Sequence, residues 1–117
     1  MSHDHNMPNG FSVREGSLFC EAVSADSLAQ RFATPLYVYC QAAITDAFAE
    51  WTDAFGGADH LICFAVKANS NIAILKLLAS LGSGFDIVSG GELRRVLAAG
   101  GDAGKVVFSG VGNSRGD

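Results

Sequence analysis

Positive charge is scarce in this sequence. Eight lysines and arginines stand against twelve aspartates and glutamates, for a formal charge of −4 over 117 residues. The eight are scattered rather than gathered into the stripe that follows a phosphate backbone, so no nucleic-acid partner is expected. Long apolar runs are missing too: none approaches the roughly 18 residues of a membrane span. The opening segment, Met1 to Pro8, lacks the basic region and apolar core of a secretory signal. These absences lead to the expectation of a cytoplasmic protein with no membrane partner. The three cysteines, Cys20, Cys40 and Cys63, are odd in number and lie about twenty residues apart, which offers neither a disulfide framework nor a CxxC metal knuckle. They are expected to be reduced and mostly buried. No metal is expected, and His3 and His5 belong to a polar tail, residues 1–15, expected to be disordered or poorly ordered.

What is present is core-forming material, 49% apolar and 17% charged, with fourteen glycines against two prolines. Gly16 to Val23 reads as a short strand, with Ser24 as N-cap of a helix reaching about Phe32. Pro35 disfavours helical geometry at Thr34, and Leu36-Tyr37-Val38-Tyr39-Cys40 is aromatic and β-branched, predicting another strand. From Gln41 the rhythm changes. Ile44, Ala47, Phe48 and Trp51 share one helical face, and Gly56-Gly57 ends that helix. Leu61 to Val66 is a continuous apolar run, the pattern of a strand covered on both faces. Ile74, Leu77, Leu78 and Leu81 then mark a helix, Phe85 to Val88 a strand, Leu93, Val96 and Leu97 a helix, and Val106 to Ser109 a further strand. Strands alternating with helices about every 22 residues predict βαβ units and a parallel sheet, an α/β architecture from about Gln41 onward. Periodicity alone leaves open whether the sheet is an open doubly wound one or a closed (β/α)8 barrel. A barrel needs about 250 residues, so the chain is expected to be the opening part of a longer one.

Lys67 ends the apolar strand and so stands at the carboxyl edge, where α/β folds build their sites. A lysine held against apolar walls loses the hydration of its ammonium form and becomes a nucleophile toward an aldehyde. The alternative is a lysine whose stem covers the sheet edge while its head stays wet. Asp86 occupies the corresponding place one strand later, either as an acid near Lys67 or as an ordinary hydrogen-bonded strand aspartate. Ser89-Gly90-Gly91-Glu92 is a capping box by pattern, which makes Glu92 a structural acid at a helix start. Asn69-Ser70-Asn71 offers helix caps, and Asn69 is also placed to touch a ligand. Gly110-Val111-Gly112 opens like a dinucleotide-binding loop, but its third glycine comes at Gly116, so the fingerprint is broken.

Phe64-Ala65-Val66-Lys67-Ala68-Asn69 resembles the cofactor-lysine motif of the alanine-racemase-like, fold-type III decarboxylases that use pyridoxal 5′-phosphate (PLP). The likeness continues through Gly82 to Leu93, Ala98-Ala99-Gly100 and Lys105 to Gly112, and Thr34-Pro35-Leu36-Tyr37-Val38-Tyr39 is similar to that family's start. It is strongest toward the diaminopimelate decarboxylase branch and covers Gly16 to Gly112. The resemblance implies that Lys67 forms a Schiff base with PLP at the mouth of a (β/α)8 barrel beginning at residue 41. It implies that residues 16–40 contribute to a β-rich domain completed elsewhere in a longer chain. Asp86 matches a position contacting the lysine or ring and Glu92 a structural or supporting one, and Asn69, within the lysine motif, is a candidate for a supporting role as well. The implied reaction is decarboxylation of meso-2,6-diaminopimelate to L-lysine, the last step of lysine biosynthesis, by a homodimer, with residues 1–117 alone inactive. The remaining cofactor and substrate ligands would lie beyond Asp117. Asn113 to Asp117 departs from the lysine and threonine usual after Gly112. Alternatives within the resemblance are an ornithine, arginine or carboxynorspermidine decarboxylase, or a non-catalytic PLP-binding module, which would lack a β domain.

Overall fold

The computed structural model describes Met7 and residues 9–110. The readings made on His3 and His5, on Val111 and Gly112 of the glycine loop, and on Asn113 to Asp117 lie outside the described residues. The chain divides into two compact units, Met1–Glu50 and Trp51–Asp117, a boundary ten residues later than the change of rhythm at Gln41.

The first unit carries an antiparallel sheet of three strands, β1 (Phe11–Arg14), β2 (Ser17–Cys20) and β3 (Val23–Ser24), followed by helix α1 (Ala25–Phe32). Strand β1 corrects the expectation of a poorly ordered tail at Phe11–Arg14. Arg14 pairs with Ser17, leaving a two-residue turn in which Glu15 has φ 51° and Gly16 φ 80°. Two positive φ values are what a tight hairpin turn requires, and glycine supplies one of them without steric cost. The single strand expected over Gly16–Val23 is broken by a second turn. Cys20 pairs with Val23, and Glu21 between them stands at φ 52°. Helix α1 starts as anticipated: Ser24 Oγ accepts the Ser27 N–H at 3.1 Å.

The strand expected at Leu36–Cys40 does not form. The segment is irregular, with Tyr37 88% exposed and Tyr39 56% exposed, and only Cys40 buried. Aromatic and β-branched residues favour a strand only where a neighbouring ladder receives them, and among the described residues none does. Helix α2 (Gln41–Phe55) then follows, as its spacing predicts.

The second unit holds a parallel sheet in the order β4 (Cys63–Ala65), β5 (Gly84–Ile87), β6 (Val106–Phe108), with α3 (Ile72–Ser80) and α4 (Gly90–Ala98) as crossovers. This is the anticipated α/β alternation. The apolar run Leu61–Val66 yields only three strand residues: Leu61 and Ile62 precede the strand, and Val66 opens a 3-10 turn, Val66–Ala68. Val66, Leu75, Phe85 and Val96 are fully buried and form the core. Leu75 and Val96 come from the crossover helices; Val96 and the buried Leu78 lie on the faces their spacing predicts, whereas Leu75, the most buried residue of α3, is not among the residues that marked that helix. No helix among the described residues is long and apolar enough to cross a membrane.

Candidate active site

The site begins with the pleat. Successive strand residues point to opposite faces, and Phe85 and Ile87 of β5 are buried in the core. Asp86 therefore points to the other face. In register it lies opposite Ala65 of β4 and Val107 of β6, and Val107 is 48% exposed. The Ser109 N–H bonds the Ile87 carbonyl at 3.1 Å, continuing the β6 ladder so that Ser109 returns to the face of Val107. There Ser109 Oγ donates to Asp86 Oδ1 at 2.5 Å. This fixes the carboxylate of a half-buried acid near the carboxyl end of the central strand.

Lys67 lies two residues beyond Ala65, in the 3-10 turn that closes β4. The turn is held by the Asn69 N–H donating to the Val66 carbonyl at 3.0 Å, and Val66 anchors it in the core. The Lys67 side chain is exposed. The apolar walls entertained for it are not formed by the described residues; what places it is the anchored turn at the strand end. Lys67, Asp86 and Ser109 thus come from the carboxyl-terminal parts of three adjacent parallel strands or the residues just after them.

Asn69 and Glu92 are engaged locally. Asn69 Oδ1 accepts the Asn71 N–H at 3.0 Å, and it is Asn71 that caps α3, accepting the Ala73 N–H at 2.9 Å. Ser89 Oγ accepts the Glu92 N–H at 3.2 Å, the forward half of the anticipated capping box. The return bond reaches one residue further back: Glu92 Oε1 accepts the Val88 N–H at 2.9 Å. Glu92 thereby ties the end of β5, just past Asp86, to the start of α4. Burial, and after it the negative charge of Asp86, push the Cys63 thiol above its ordinary value of 9.0.

Ser109 has no place among the site residues expected from sequence. The signal was present, since Val107 and Ser109 alternate on one face of β6, but it becomes readable only once the register with Asp86 is known.

A parallel α/β unit with an amine and an oriented carboxylate at its carboxyl edge belongs to the class that builds sites where strands end. Residues 41–117 match the family described as pyridoxal-dependent decarboxylase, pyridoxal binding domain. The chain belongs to this family, whose cofactor is PLP. It is 58% identical over 109 residues to a diaminopimelate decarboxylase of Pseudomonas fluorescens, covering 93% of this chain and 26% of that protein. A diaminopimelate decarboxylase of Neisseria meningitidis serogroup B is 63% identical over 98 residues, covering 84% of this chain and 24% of its own. The crystal structure of diaminopimelate decarboxylase from M. jannaschii in co-complex with L-lysine superposes with a TM-score of 0.83 at 36% identity, covering 88% of this chain and 25% of that one. The chain spans about a quarter of the length of these relatives.

The residues present fit the cofactor. PLP offers an aldehyde, for which the exposed primary amine of Lys67 is the matching nucleophile. Asp86, its carboxylate steadied by Ser109, supplies negative charge on the sheet face whose carboxyl end Lys67 closes.

Proposed function

We propose that the native polypeptide carrying this chain is a PLP-dependent carboxy-lyase that converts meso-2,6-diaminopimelate to L-lysine and carbon dioxide, and that Lys67 is the residue that holds the cofactor. The observation that carries this reading is the position of Lys67 within the family-matched segment, on a core-anchored turn at the carboxyl end of β4. Two diaminopimelate decarboxylases at 58% and 63% identity support the substrate. The relative solved with L-lysine supports the product.

When bound, PLP supplies a conjugated ring that takes up the electron pair left when a carboxylate departs as carbon dioxide. The chain's own residues do the rest of what is assigned here. Lys67 Nζ would hold PLP through its aldehyde, and from the end of β4 the same amine would be placed to hold the proton that returns to the reacting carbon. Asp86 balances positive charge on Lys67 or on the ring, and Ser109 keeps its Oδ1 from rotating away. Glu92 and Asn69 act on backbone: Glu92 fixes the β5–α4 junction, and Asn69 shapes the turn between Lys67 and α3.

In this reading the second unit is the opening of a (β/α)8 barrel whose strand ends gather the site. The first unit is part of a β-rich domain. Its antiparallel sheet speaks against a single-barrel, non-catalytic PLP-binding protein. A cytoplasmic homodimer completes the reading, and sedimentation of the native protein tests the dimer.

The experiment is an assay of the native protein, supplied with PLP, on meso-diaminopimelate, ornithine, arginine and carboxynorspermidine in parallel. Release of carbon dioxide with formation of lysine from the first is expected. Release from one of the others but not from diaminopimelate would replace the substrate. Stoichiometric PLP with no release from any would leave a binding module.

A further inference from the structure

Three side chains of the first unit converge on a point that the proposed reaction does not use. The sulfurs of Cys20 and Cys40 and a carboxylate oxygen of Glu21 all lie within 4.8 Å of one another. Both cysteines are free. Cys40 is buried, Cys20 half-buried, and Glu21 exposed, so the cluster has a closed sulfur side and an open oxygen side.

The backbone is arranged around these atoms. Cys20 closes β2, paired with Phe11 and Val23. Glu21 follows in the turn at φ 52°, and its N–H donates to the Gly10 carbonyl at 2.7 Å. Gly10 stands at φ 90°, and a β-carbon there would lie 2.1 Å from Cys40 Sγ. The space that any other residue at position 10 would fill is the space the Cys40 sulfur occupies.

We propose that Cys20, Cys40 and Glu21 form a binding site for a thiophilic divalent cation, with zinc as the best match, held by two thiolates, one carboxylate and a water on the open side. Zinc takes four such ligands tetrahedrally, with sulfur at about 2.3 Å and oxygen at about 2.0–2.2 Å, which sets neighbouring ligand atoms roughly 3.5–3.8 Å apart. The 4.8 Å limit on the present cluster accommodates that geometry. Binding releases two thiol protons to solvent and transfers no electron, so the sulfurs keep their oxidation state and affinity falls as pH falls.

The donor set favours a cation: two sulfurs and a carboxylate converge while both cysteines are free, and a dication among them would face three groups able to supply negative charge. Arg14 is the positive group nearby. It donates to the Glu21 backbone carbonyl at 3.0 Å and lies over the Phe19 ring, which leaves the Glu21 carboxylate to the cluster.

The test uses the native polypeptide, reduced, stripped with a chelator and titrated with cobalt(II), whose spectrum reports both thiolate ligation and tetrahedral geometry. One cobalt per chain is expected to give a thiolate charge-transfer band that zinc abolishes by displacement. Cys20→Ser and Cys40→Ser should weaken binding by at least roughly 100-fold with loss of charge-transfer intensity, and Glu21→Gln by about 10-fold with the band retained. Should the buried Cys40→Ser variant fail to fold, Cys20→Ser and Glu21→Gln carry the result. PLP content and decarboxylation, which the site does not serve, should survive Cys20→Ser. Absence of the band in the wild type, equal binding by Cys20→Ser, or an isolated chain two hydrogens light with Cys20 linked to Cys40 would overturn the proposal.

Discussion

Replacing Glu92 with alanine should loosen the junction between β5 and α4 without touching the core. Glu92 Oε1 is the acceptor for the Val88 N–H at 2.9 Å, and the same carboxylate lies in the first turn of α4. Losing a charge-assisted bond and leaving a part-buried N–H without its acceptor costs about 1.5–2.5 kcal/mol, and the helix-dipole part of that is about 0.3–1 kcal/mol. Glu92→Gln keeps an acceptor oxygen and loses only the charge, so it should cost no more than about 1 kcal/mol. Hydrogen exchange at the Val88 amide reads this locally. Because about 1.4 kcal/mol is tenfold in an equilibrium constant, opening should rise roughly 10- to 60-fold in Glu92→Ala and no more than about fivefold in Glu92→Gln. Equal exchange in the two variants would refute the reasoning, since it would mean that charge at the helix start, and not the bond to Val88, does the stabilising.

Three other perturbations follow from the same geometry. Ser109→Ala should lower kcat/KM of the native enzyme about tenfold, equivalent to about 1.4 kcal/mol, with Ser109→Thr restoring most of it; an unchanged kcat/KM would remove Ser109 from the site. Alkylation of Cys63 should show a pH midpoint above 9.0 that moves down in Asp86→Asn, because burial and then Asp86 hold the thiol protonated. A raised folded value means that its contribution to stability is complete below pH 9.0 and is lost as pH climbs through the raised value. Gly10→Ala should destabilise the native protein by roughly 2–4 kcal/mol in urea unfolding, from positive φ and from the clash with Cys40 Sγ. Adding Cys40→Ala should recover only the clash.

The second unit was legible in sequence because its signals are local. Helical spacing at Ile74 to Leu81 and Leu93 to Leu97, bounded by glycines, predicts α3 and α4 close to where they stand. Short apolar runs between them predict β4 to β6, and the place of Lys67 at a strand end follows directly. What depended on distant partners was not legible. Leu36–Cys40 has the composition of a strand but finds no ladder among the described residues. Strand β1 was hidden because Glu15-Gly16 is a weaker turn signal than Asn-Gly or Asp-Gly, although both residues adopt the required positive φ. Ser109 joins Asp86 through register, and Cys20 meets Cys40 across a loop of nineteen intervening residues, so neither pairing has a sequence spacing that announces it.

The role of Lys67 is the centre of the account, and borohydride reduction of the PLP-loaded native protein tests it most directly. Reduction fixes a lysine-bound cofactor covalently, and peptide mapping then locates it. The account predicts one pyridoxyl phosphate adduct per chain on Lys67, absent in Lys67→Ala along with carbon dioxide release. An adduct on another lysine, or undiminished activity in Lys67→Ala, would contradict it.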